Sequence, residues 1–427
     1  MNPISTALQA KGAGNLLRRS VAIGGRYGLT PAKMDQALAQ YTTVLNQFGC
    51  SATFPITSVA LQRASRVVSK YQAQGIEFAV HGFRHVDYSR LPQAEQARDL
   101  KRARKVFDEN SIKSTGFRCP YLTWNSDTLT ALSQQGYQYD SSQALAWDVM
   151  GHRMTDAYER VLDFCRARSA ADYPALPELD GSLVRIPYCL PDDEAIVERL
   201  ALGSPAEGSI LWQAILQRTY DLGELFTLGL HPERIGLCWK PLADTLAMAK
   251  SLSPAIWIAR LDAIATWWRT RTAAVIQVTT VDHDQFQIVV NGPPGVTILT
   301  RGVGVDAKTT RWSEDYWQVD GTACTVQSDR RPFIGVSPDS SHRLLSFLRQ
   351  QGYLVEATTD ARSYAVYIDQ ADLCDRAERV LLTRLTETDA PLVRLGRWPN
   401  GARSALAITG DIDALTLWDY GLRFLGR

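Results

Sequence analysis

The stretch EFAVHGFRHVDYS, from Glu77 to Ser89, joins a short apolar run to a polar segment with two histidines. The run EFAVHG ends at a glycine and reads as a buried strand. His81 and His85 follow four residues apart, which places both imidazoles on one face if the turn is helical. Neutral imidazole is a common ligand of zinc and similar divalent ions. Alternatively, both are polar residues of a loop, because this spacing alone is weakly specific.

Strands and helices alternate on both sides of this stretch, up to about Arg269. Thr30 and Pro31 begin a helix that Gly49 ends, in keeping with the usual preferences at helix boundaries. The strand CSATFPIT, a helix over 60–74 and the strand EFAVHG follow, and then the charged helix PQAEQARDLKRARKVFDEN. This order predicts an α/β protein whose parallel strands are covered by helices, as an open sheet or a barrel.

The pattern changes after residue 270. β-branched runs such as FQIVVNG and GVTILTRGV predict a small β-sandwich over 271–330. A small α/β domain is expected over 331–397, where strand and helix patterns alternate again. Residues 398–427 contain the apolar strand ALAIT and an amphipathic tail. We therefore expect four segments, the first of them the α/β body at 1–270.

Composition restricts the function. The 427 residues carry 46 Lys and Arg against 45 Asp and Glu, a net charge of +1 that does not favour nucleic acid as a partner. The chain shows neither an apolar signal-peptide core at its start nor an apolar run of transmembrane length. Seven cysteines without a CxxC pair favour free thiols in a reducing compartment, so we expect a cytoplasmic protein. A homo-oligomer stays open.

Two further candidates follow other strand-like runs. In GFRCPYLTWN, Arg118 can hold a carboxylate, and the turn after the proline can aim the backbone N–H of Tyr121 at an anion. In LFTLGLHPERIG, His231 can act as a general acid or base, because its reference pKa is close to neutral. The alternatives are a surface arginine beside a turn and a structural histidine.

Two carboxylates follow the apolar strand ALAIT. Asp411 and Asp413 are two residues apart, so an extended backbone would turn both towards one pocket. The alternative is a helix cap and a turn residue. Like the other candidates, they lie at the C-terminal end of a predicted strand, where α/β folds collect their chemistry.

These motifs, in this order, resemble the polysaccharide deacetylase superfamily, the NodB-homology domain, and above all its allantoinase-like branch. The resemblance covers about 30–268 and includes ATFPIT, HGFRH, FRCPY, LVRIPYCLPDDE, LGLH and IWIARLDAIATWW. It implies a distorted (β/α) barrel. One departure is Gly82, where most of the family has Ser or Thr after the first histidine.

The family's opening motif, a strand that ends in adjacent acids or a DxD, is missing from the N-terminus. The stretch RWPNGARSALAITGDIDALT near the other end resembles it. The resemblance therefore implies a circular permutation in which the first barrel strand is encoded at 398–427. Chain termini commonly lie close together at the surface, which makes such a rearrangement tolerable.

The resemblance also implies roles for the candidates. His81, His85 and Asp413 would bind a divalent metal, most often zinc in the family, and Asp411 would be the general base. Arg118 would orient Asp411, the Tyr121 N–H would stabilise the oxyanion together with the metal, and His231 would protonate the leaving amine. In this chain the two acids are separated by Ile412, whereas the family commonly has adjacent acids. Asp411 and Asp413 can therefore exchange the roles of general base and metal ligand.

The remaining interpretations concern the substrate. The resemblance implies hydrolysis of a C–N amide bond, most simply N-deacetylation of an amino sugar in a polysaccharide, oligosaccharide or glycolipid precursor. Hydrolysis of a non-sugar amide or cyclic ureide, and a non-catalytic glycan-binding protein, are the alternatives. Trp124 and Tyr188 are candidates for stacking on a sugar, or else core aromatics. The acids at 191–193 either join the site or cap a helix, and the cap is favoured.

Overall fold

The computed structural model describes residues 24–200, 202, 204–374 and 376–424. The prediction that no signal peptide is present concerns residues outside this part. The helices are α1 (Ala32–Gln47), α2 (Ser58–Arg63), α3 (Ser65–Gln72), α4 (Gln93–Glu109), α5 (Ser126–Gln134), α6 (Asp156–Phe164), α7 (Pro205–Leu222), α8 (Ile235–Ser251), α9 (Leu261–Thr272), α10 (His342–Gln350), α11 (Glu378–Glu387) and α12 (Leu417–Phe424).

The strands of the first part are β1 (Thr53–Ile56), β2 (Glu77–Val80), β3 (Gly116–Phe117), β4 (Tyr139–Asp140), β5 (Ala144–Ala146), β6 (Arg168–Ser169), β7 (Glu178–Asp180), β8 (Leu183–Arg185), β9 (Tyr188–Leu190), β10 (Leu225–Gly229) and β11 (Ile256–Ile258). Those that follow are β12 (Val275–Asp282), β13 (Gln285–Asn291), β14 (Ile298–Arg301), β15 (Gly304–Val305), β16 (Thr309–Arg311), β17 (Trp317–Val319), β18 (Ala323–Gln327), β19 (Arg331–Val336), β20 (Val355–Ala357), β21 (Tyr364–Ile368), β22 (Leu392–Leu395) and β23 (Ser404–Thr409).

A curled sheet of nine strands forms the body of the protein. Its order is β10-β23-β1-β2-β3-β4-β8-β7, and β11 also pairs with β23. Every residue of β1, β2, β10 and β23 is buried, as expected for parallel strands with both faces covered. The α/β fold with a barrel-like sheet, predicted from the alternation, is confirmed in this half-barrel form.

The strand β23 lies inside this sheet, between β10 and β1, although it follows all the others in the sequence. It pairs in parallel with β10 over five residues, from Leu225↔Ala405 to Gly229↔Thr409. On its other side Thr53 pairs with Thr409, and the N–H of Ile412 donates to the carbonyl of Pro55. The strand therefore carries Asp411 and Asp413 to the same edge as the ends of β2 and β10.

The local elements differ from the sequence prediction in two places. The first helix begins one residue later than predicted, with Pro31 as its N-cap. The single helix expected over 60–74 consists of α2 and α3, because Ala64 between them has a non-helical backbone (φ −139°, ψ 41°).

Two four-stranded sheets and one three-stranded sheet follow the body. Strands β12, β13, β18 and β15 form one sheet, β16, β17, β14 and β22 another, and β20, β19 and β21 a parallel third. Strand β22 falls inside the expected α/β domain at 331–397, yet it pairs antiparallel with β14. The two expected domains therefore share a sheet, and their boundaries stay a prediction.

Helix α12 packs beside the start of the described chain. The N–H of Leu417 donates to the carbonyl of Gly28 at 2.9 Å, and the rings of Tyr27 and Tyr420 are 5.4 Å apart. Asp419 also pairs with Arg63 on α2 at 2.6 Å. In the part of the chain that the structure describes, no helix is long and apolar enough to cross a membrane.

Candidate active site

A cavity of about 110 Å³ opens at the C-terminal edge of the central sheet. Its lining includes many of the residues singled out in the sequence, namely His81, His85, Tyr121, Tyr188, His231, Asp411 and Asp413. These come from the ends of different strands, so the parallel arrangement of the sheet gathers them. The residues that the sequence placed far apart therefore share one cavity.

His81, His85 and Asp413 converge on one point. The Oδ1 atom of Asp413 lies 3.4 Å from Nε2 of His81 and 3.1 Å from Nε2 of His85. The three side chains can each offer one ligand atom within a sphere that suits a metal ion. Two imidazoles and one carboxylate, with room for a further ligand, are the donor set of a catalytic zinc site.

The surroundings of His81 fit this assignment. Its Nδ1 atom lies 2.8 Å from the carbonyl oxygen of Arg118, so Nδ1 carries the proton and donates. The lone pair of Nε2 then faces Asp413 and the cavity. Metal-binding histidines are usually oriented through such a bond at the other ring nitrogen. The donor set and its support therefore fit a divalent cation.

The glycine after His81 makes this turn possible. Gly82 has φ +78°, and a Cβ there would lie 2.8 Å from the carbonyl oxygen of Arg84. A side chain would be strained by both the backbone conformation and this contact. The departure from the Ser or Thr that the resemblance implies thus has a local structural reason.

Arg118 and Asp411 form a buried ion pair beside this cluster. Nη1 of Arg118 donates to Oδ1 of Asp411 at 2.8 Å, and Nε and Nη2 donate to the carbonyl and hydroxyl oxygens of Ser141. Burial raises the pKa of Asp411, but the Arg118 guanidinium and nearby histidines outweigh it and hold that pKa below its ordinary value. Asp411 is therefore an ionised carboxylate whose Oδ2 atom lies 3.7 Å from Nε2 of His81.

His231 is held by a carboxylate on the opposite wall. Nδ1 of His231 donates to Oδ1 of Asp193 at 2.7 Å, and its backbone N–H donates to Oδ2 at 3.1 Å. Burial lowers the pKa of His231, but the charge and hydrogen bond of Asp193 raise it well above its ordinary value. His231 is therefore a cation at neutral pH, with Nε2 left to donate.

The two acids of the PDD turn have different surroundings. Asp192 accepts the backbone N–H of Ala195 at 2.9 Å, as a helix cap does, and it also lines the cavity. Burial and the neighbouring charge of Asp193 raise the pKa of Asp192 to about 6. Asp193 binds His231 and Arg234.

Of the two aromatic candidates for binding a sugar, Tyr188 lines the cavity and Trp124 does not. The ring of Tyr188 is 2% exposed and lies under the Arg118 guanidinium at 4.6 Å, and its hydroxyl donates to Oδ2 of Asp192. Trp124 packs against the guanidinium of Arg185 at 4.2 Å and is not part of the cavity lining. A role for either in binding substrate stays a prediction.

The backbone at Tyr121 adopts an uncommon conformation. Tyr121 has φ +60° and Leu122 has φ +58°, the left-handed region that non-glycine residues rarely occupy. The Tyr121 ring packs edge-on against His85 with centroids 4.3 Å apart. The turn after Pro120 therefore packs against His85, a candidate metal ligand. That the Tyr121 N–H binds an oxyanion stays a prediction.

Sequence reasoning missed the residues that support the site. It did not identify Asp193 as the partner of His231, nor Ser141 and Thr409 as partners of Arg118. Each of them is on or directly after a predicted strand, and this position was the one feature of the sequence that could have indicated a place near the site. Their roles depend on which strands are neighbours, and the sequence alone does not state this.

The chain was compared with known proteins. Residues 30–139 match the family model described as polysaccharide deacetylase. None of the curated proteins matches the chain. Two similar solved structures are a probable polysaccharide deacetylase from Pseudomonas aeruginosa PAO1 and Puue allantoinase. The first is 20% identical, with a TM-score of 0.44, and covers 55% of this chain and 73% of its own. The second is 18% identical, with a TM-score of 0.44, and covers 55% and 72%.

The family match includes the strand that precedes His81, both candidate metal-binding histidines and the turn at Arg118 and Tyr121. Of the six motifs on which the resemblance was noted, ATFPIT, HGFRH and FRCPY fall within the matched range and the other three lie beyond it. Residues 30–139 are accordingly identified as a region of polysaccharide deacetylase type.

Proposed function

We propose that this protein is a metal-dependent hydrolase of C–N amide bonds that removes the acetyl group from an N-acetylated amino sugar. The observation that carries the proposal is the convergence of His81, His85 and Asp413 between two charged pairs, Arg118–Asp411 and His231–Asp193. The family match at 30–139 supports a deacetylase-type hydrolase. The sugar class of the substrate goes beyond that match.

His81, His85 and Asp413 would hold the divalent ion, which we take to be zinc from the donor set. When bound, such an ion polarises a carbonyl and makes water a better nucleophile near neutral pH. Asp413 is the stronger candidate for the carboxylate ligand, because its Oδ1 atom is close to both histidines. Asp411 approaches only His81, and its Oδ1 atom already accepts from Arg118.

The other residues of the site would transfer protons and stabilise the oxyanion. Asp411, ionised and oriented by Arg118, would take the proton of the attacking water as general base. The backbone N–H of Tyr121 would donate to the oxyanion that develops on the substrate carbonyl oxygen when water attacks the carbonyl carbon. His231, protonated and held by Asp193, would give its Nε2 proton to the leaving amine.

We place the reaction in the cytoplasm as part of the proposal. All seven cysteines are free thiols, and most of them are buried. This usage suits a reducing compartment. An N-acetylated glycan or glycolipid precursor made there is the corresponding substrate.

We also infer that the chain is a circular permutant of the family's usual order. In support, β23 lies between β10 and β1 in the sheet and delivers both acids to the site. The helix after these acids, α12, contacts Tyr27 and Gly28 just before α1. In a protein with the family's usual order, the chain would run directly from the helix that corresponds to α12 into the segment that precedes α1.

Metal content tests the proposal first. The purified protein should contain about one divalent ion per chain by mass spectrometry, and Asp413→Ala, shown to be folded by circular dichroism, should lose it. Asp282, His283 and Asp284 form a second cluster of side chains that could hold a metal, largely exposed, so Asp282→Ala is the matched control and should keep the ion. A folded wild type that binds no metal after reconstitution with zinc would refute the proposal.

Substrate assays separate the amide classes. Release of acetate from an N-acetylglucosamine oligomer, abolished in Asp413→Ala, is the expected result. Hydrolysis of allantoin without release of acetate would assign the same site to a ureide. Metal binding without either activity, across a panel of acetylated sugars, would favour a glycan-binding protein.

A further inference from the structure

A second cleft lies between the body of the protein and helix α10. It has a volume of about 300 Å³, larger than the catalytic cavity. The pair β5–β9 separates the two, since Leu145 and Pro187 line the cleft, whereas Tyr188 and Leu190 line the catalytic cavity. Neither the proposed chemistry nor the family match accounts for this cleft.

The walls of the cleft are fixed to each other on one side by Gln350 of α10. Its amide oxygen accepts the N–H of Leu179 on β7 at 2.7 Å, and its amide nitrogen donates to the carbonyl of the same residue at 3.4 Å. Gln350 also accepts from the indole N–H of Trp268 on α9. The helix is therefore bonded to the edge of the central sheet.

Arg379 of α11 fixes the other side. It forms a two-point ion pair with Glu224 and donates to the carbonyl oxygens of Ala170 and Tyr173. With both sides bonded, a ligand would meet a formed cleft and little ordering cost would oppose its binding.

The charges that line the cleft are balanced. Arginine side chains from positions 168, 185 and 343 face carboxylates from positions 178, 180 and 378. Arg343 and Glu378 pair with each other at 3.4 Å. A cleft with this balance does not select a strongly charged ligand of either sign.

Two side chains at the cleft contain buried polar atoms that form no hydrogen bond in the described part of the chain. Nε and Nη2 of Arg185 are buried and form no hydrogen bond, and they require an acceptor. The side-chain oxygen of Gln351, a residue that is 2% exposed, likewise forms none and requires a donor. Buried groups of this kind each cost about 1–3 kcal/mol when they stay unpaired.

We propose that this cleft binds a neutral, hydroxyl-rich ligand, that is, a carbohydrate segment. A hydroxyl group both accepts and donates, so a single ligand chemistry suits the guanidinium of Arg185 and the side-chain amide of Gln351, which both line the cleft. The planar amide, carboxylate and guanidinium groups around them suit pairs of neighbouring hydroxyls, and the half-buried ring of Phe347 offers an apolar face. This site does not depend on the proposed hydrolysis.

Binding should be measured on a protein whose catalytic cavity is disabled. Isothermal titration of the His81→Ala/His85→Ala variant with the tetramers of N-acetylglucosamine and of glucose should show binding of at least one. Adding Gln351→Leu should weaken it by about tenfold, the effect of one buried hydrogen bond, without lowering the melting temperature. Adding Ser346→Trp, which fills the cleft from α10, should abolish it.

The matched control is Arg349→Gln on the same helix, outside the cleft lining. It should leave the affinity unchanged. Binding that is lost in His81→Ala/His85→Ala but kept in Ser346→Trp would place the sugar in the catalytic cavity and overturn the proposal. Binding of inorganic phosphate in place of both sugars, or no binding at millimolar concentration, would overturn it as well. None of these outcomes bears on the metal content.

Discussion

His231 depends on a single carboxylate for its charge. Because Asp193 raises the pKa of His231 well above its ordinary value, the acid form persists through neutral pH. The pair stabilises the fold fully below the unfolded pKa of 6.5, and this stabilisation is lost as pH rises through the raised pKa. If His231 is the general acid, the rate of the reaction should also fall as pH rises through this raised pKa.

Asp193→Asn should move that limit. With the carboxylate charge removed, the pKa of His231 falls, and the alkaline limb of the kcat/KM profile should shift to lower pH. We also expect kcat to fall by about 10²-fold, because general acids contribute 10²–10⁴. A pH–rate profile of the variant beside the wild type measures both. An unmoved alkaline limb would mean that another group is the acid.

Asp411→Asn should separate the base from the ligand. Since Asp411 is bound to Arg118 and only Asp413 is close to both histidines, the variant should keep its metal. Its kcat should fall by about 10²–10⁴. Metal analysis and acetate release on the same sample provide the two readings. Loss of the metal would show that the two acids have exchanged roles.

The candidate catalytic and metal-binding residues were easier to predict from sequence than the residues that hydrogen-bond to them. Asp411, Asp413 and His231 stand directly after apolar runs, where a strand end is visible in the sequence. Asp193 also follows such a run, but its carboxylate looked better suited to capping a helix. The partner at 2.7 Å, His231, is distant in the sequence, and only the adjacency of two loops reveals it.

At the level of elements, β23 and the end of β10 are packed too closely for any side chain between them. A Cβ at Gly410 would lie 1.9 Å from the carbonyl oxygen of Leu230. This contact brings the loop that carries Asp411 against the loop that carries His231. A glycine at this position therefore sets the width of the site.

Gly410→Ala should destabilise the protein by about 1–3 kcal/mol, the usual cost of overpacking, as measured by urea denaturation. The matched control is Gly236→Ala in α8, where a Cβ would meet no atom within 4 Å. That change should alter the free energy of unfolding by no more than about 0.5 kcal/mol, because Gly236 is exposed in the first turn of α8. Equal effects of the two would show that the Gly410 contact is relaxed in solution.

The start of β2 contains a carboxyl group that opposes folding at alkaline pH. Glu77 accepts hydrogen bonds from Tyr139, Thr53 and the N–H of Asp262. Burial, followed by the charge of Asp262, raises the pKa of Glu77 from 4.5 to about 7. Between these two values the native state binds more protons than the unfolded state, so the free energy of unfolding falls as pH rises.

Glu77→Gln should flatten this dependence. Urea denaturation at intervals from about pH 5 to pH 8 should show a decline for the wild type that is shallower in the variant, which keeps the declines due to Asp192 and His231. Asp108→Asn, a change on the exposed side of α4, is the control and should keep the wild-type slope. A wild type whose stability rises over this range would contradict the pKa assigned to Glu77.

Strands were predictable where their runs are apolar, but their partners were not. The apolar run of β22 indicated a strand, and its position after α11 indicated the small α/β unit. It pairs instead with β14, from Ile298↔Leu395 to Arg301↔Leu392. Local periodicity determines whether a segment is extended, whereas pairing depends on packing between distant segments.

On the scale of the whole molecule, the two described ends of the chain meet beside the site. Contacts join α12 to Tyr27 and Gly28, which lie just before α1. We therefore expect that a short linker that joins residue 424 to residue 24, with a new opening at the exposed Ala273, gives a folded protein with its metal. Circular dichroism and metal analysis would check this.

A second opening at Gly321, in an exposed turn, serves as the control for the linker. If both rearranged proteins fail to fold, the ends do not meet as described. If only the opening at Ala273 fails, the link between α9 and β12 is needed for folding, and the adjacency of the ends stands.

The position of β23 also affects how the protein is made. Thr57 and Asp413, which contact each other next to the site, are 356 residues apart in the sequence. While the ribosome synthesises the chain, β1 and β10 emerge long before the strand that separates them. Both expose an unpaired edge until residues 404–409 appear, and such edges promote aggregation. The nascent protein should therefore depend on chaperones during synthesis, and ribosome-bound chains that lack these residues should be sensitive to protease.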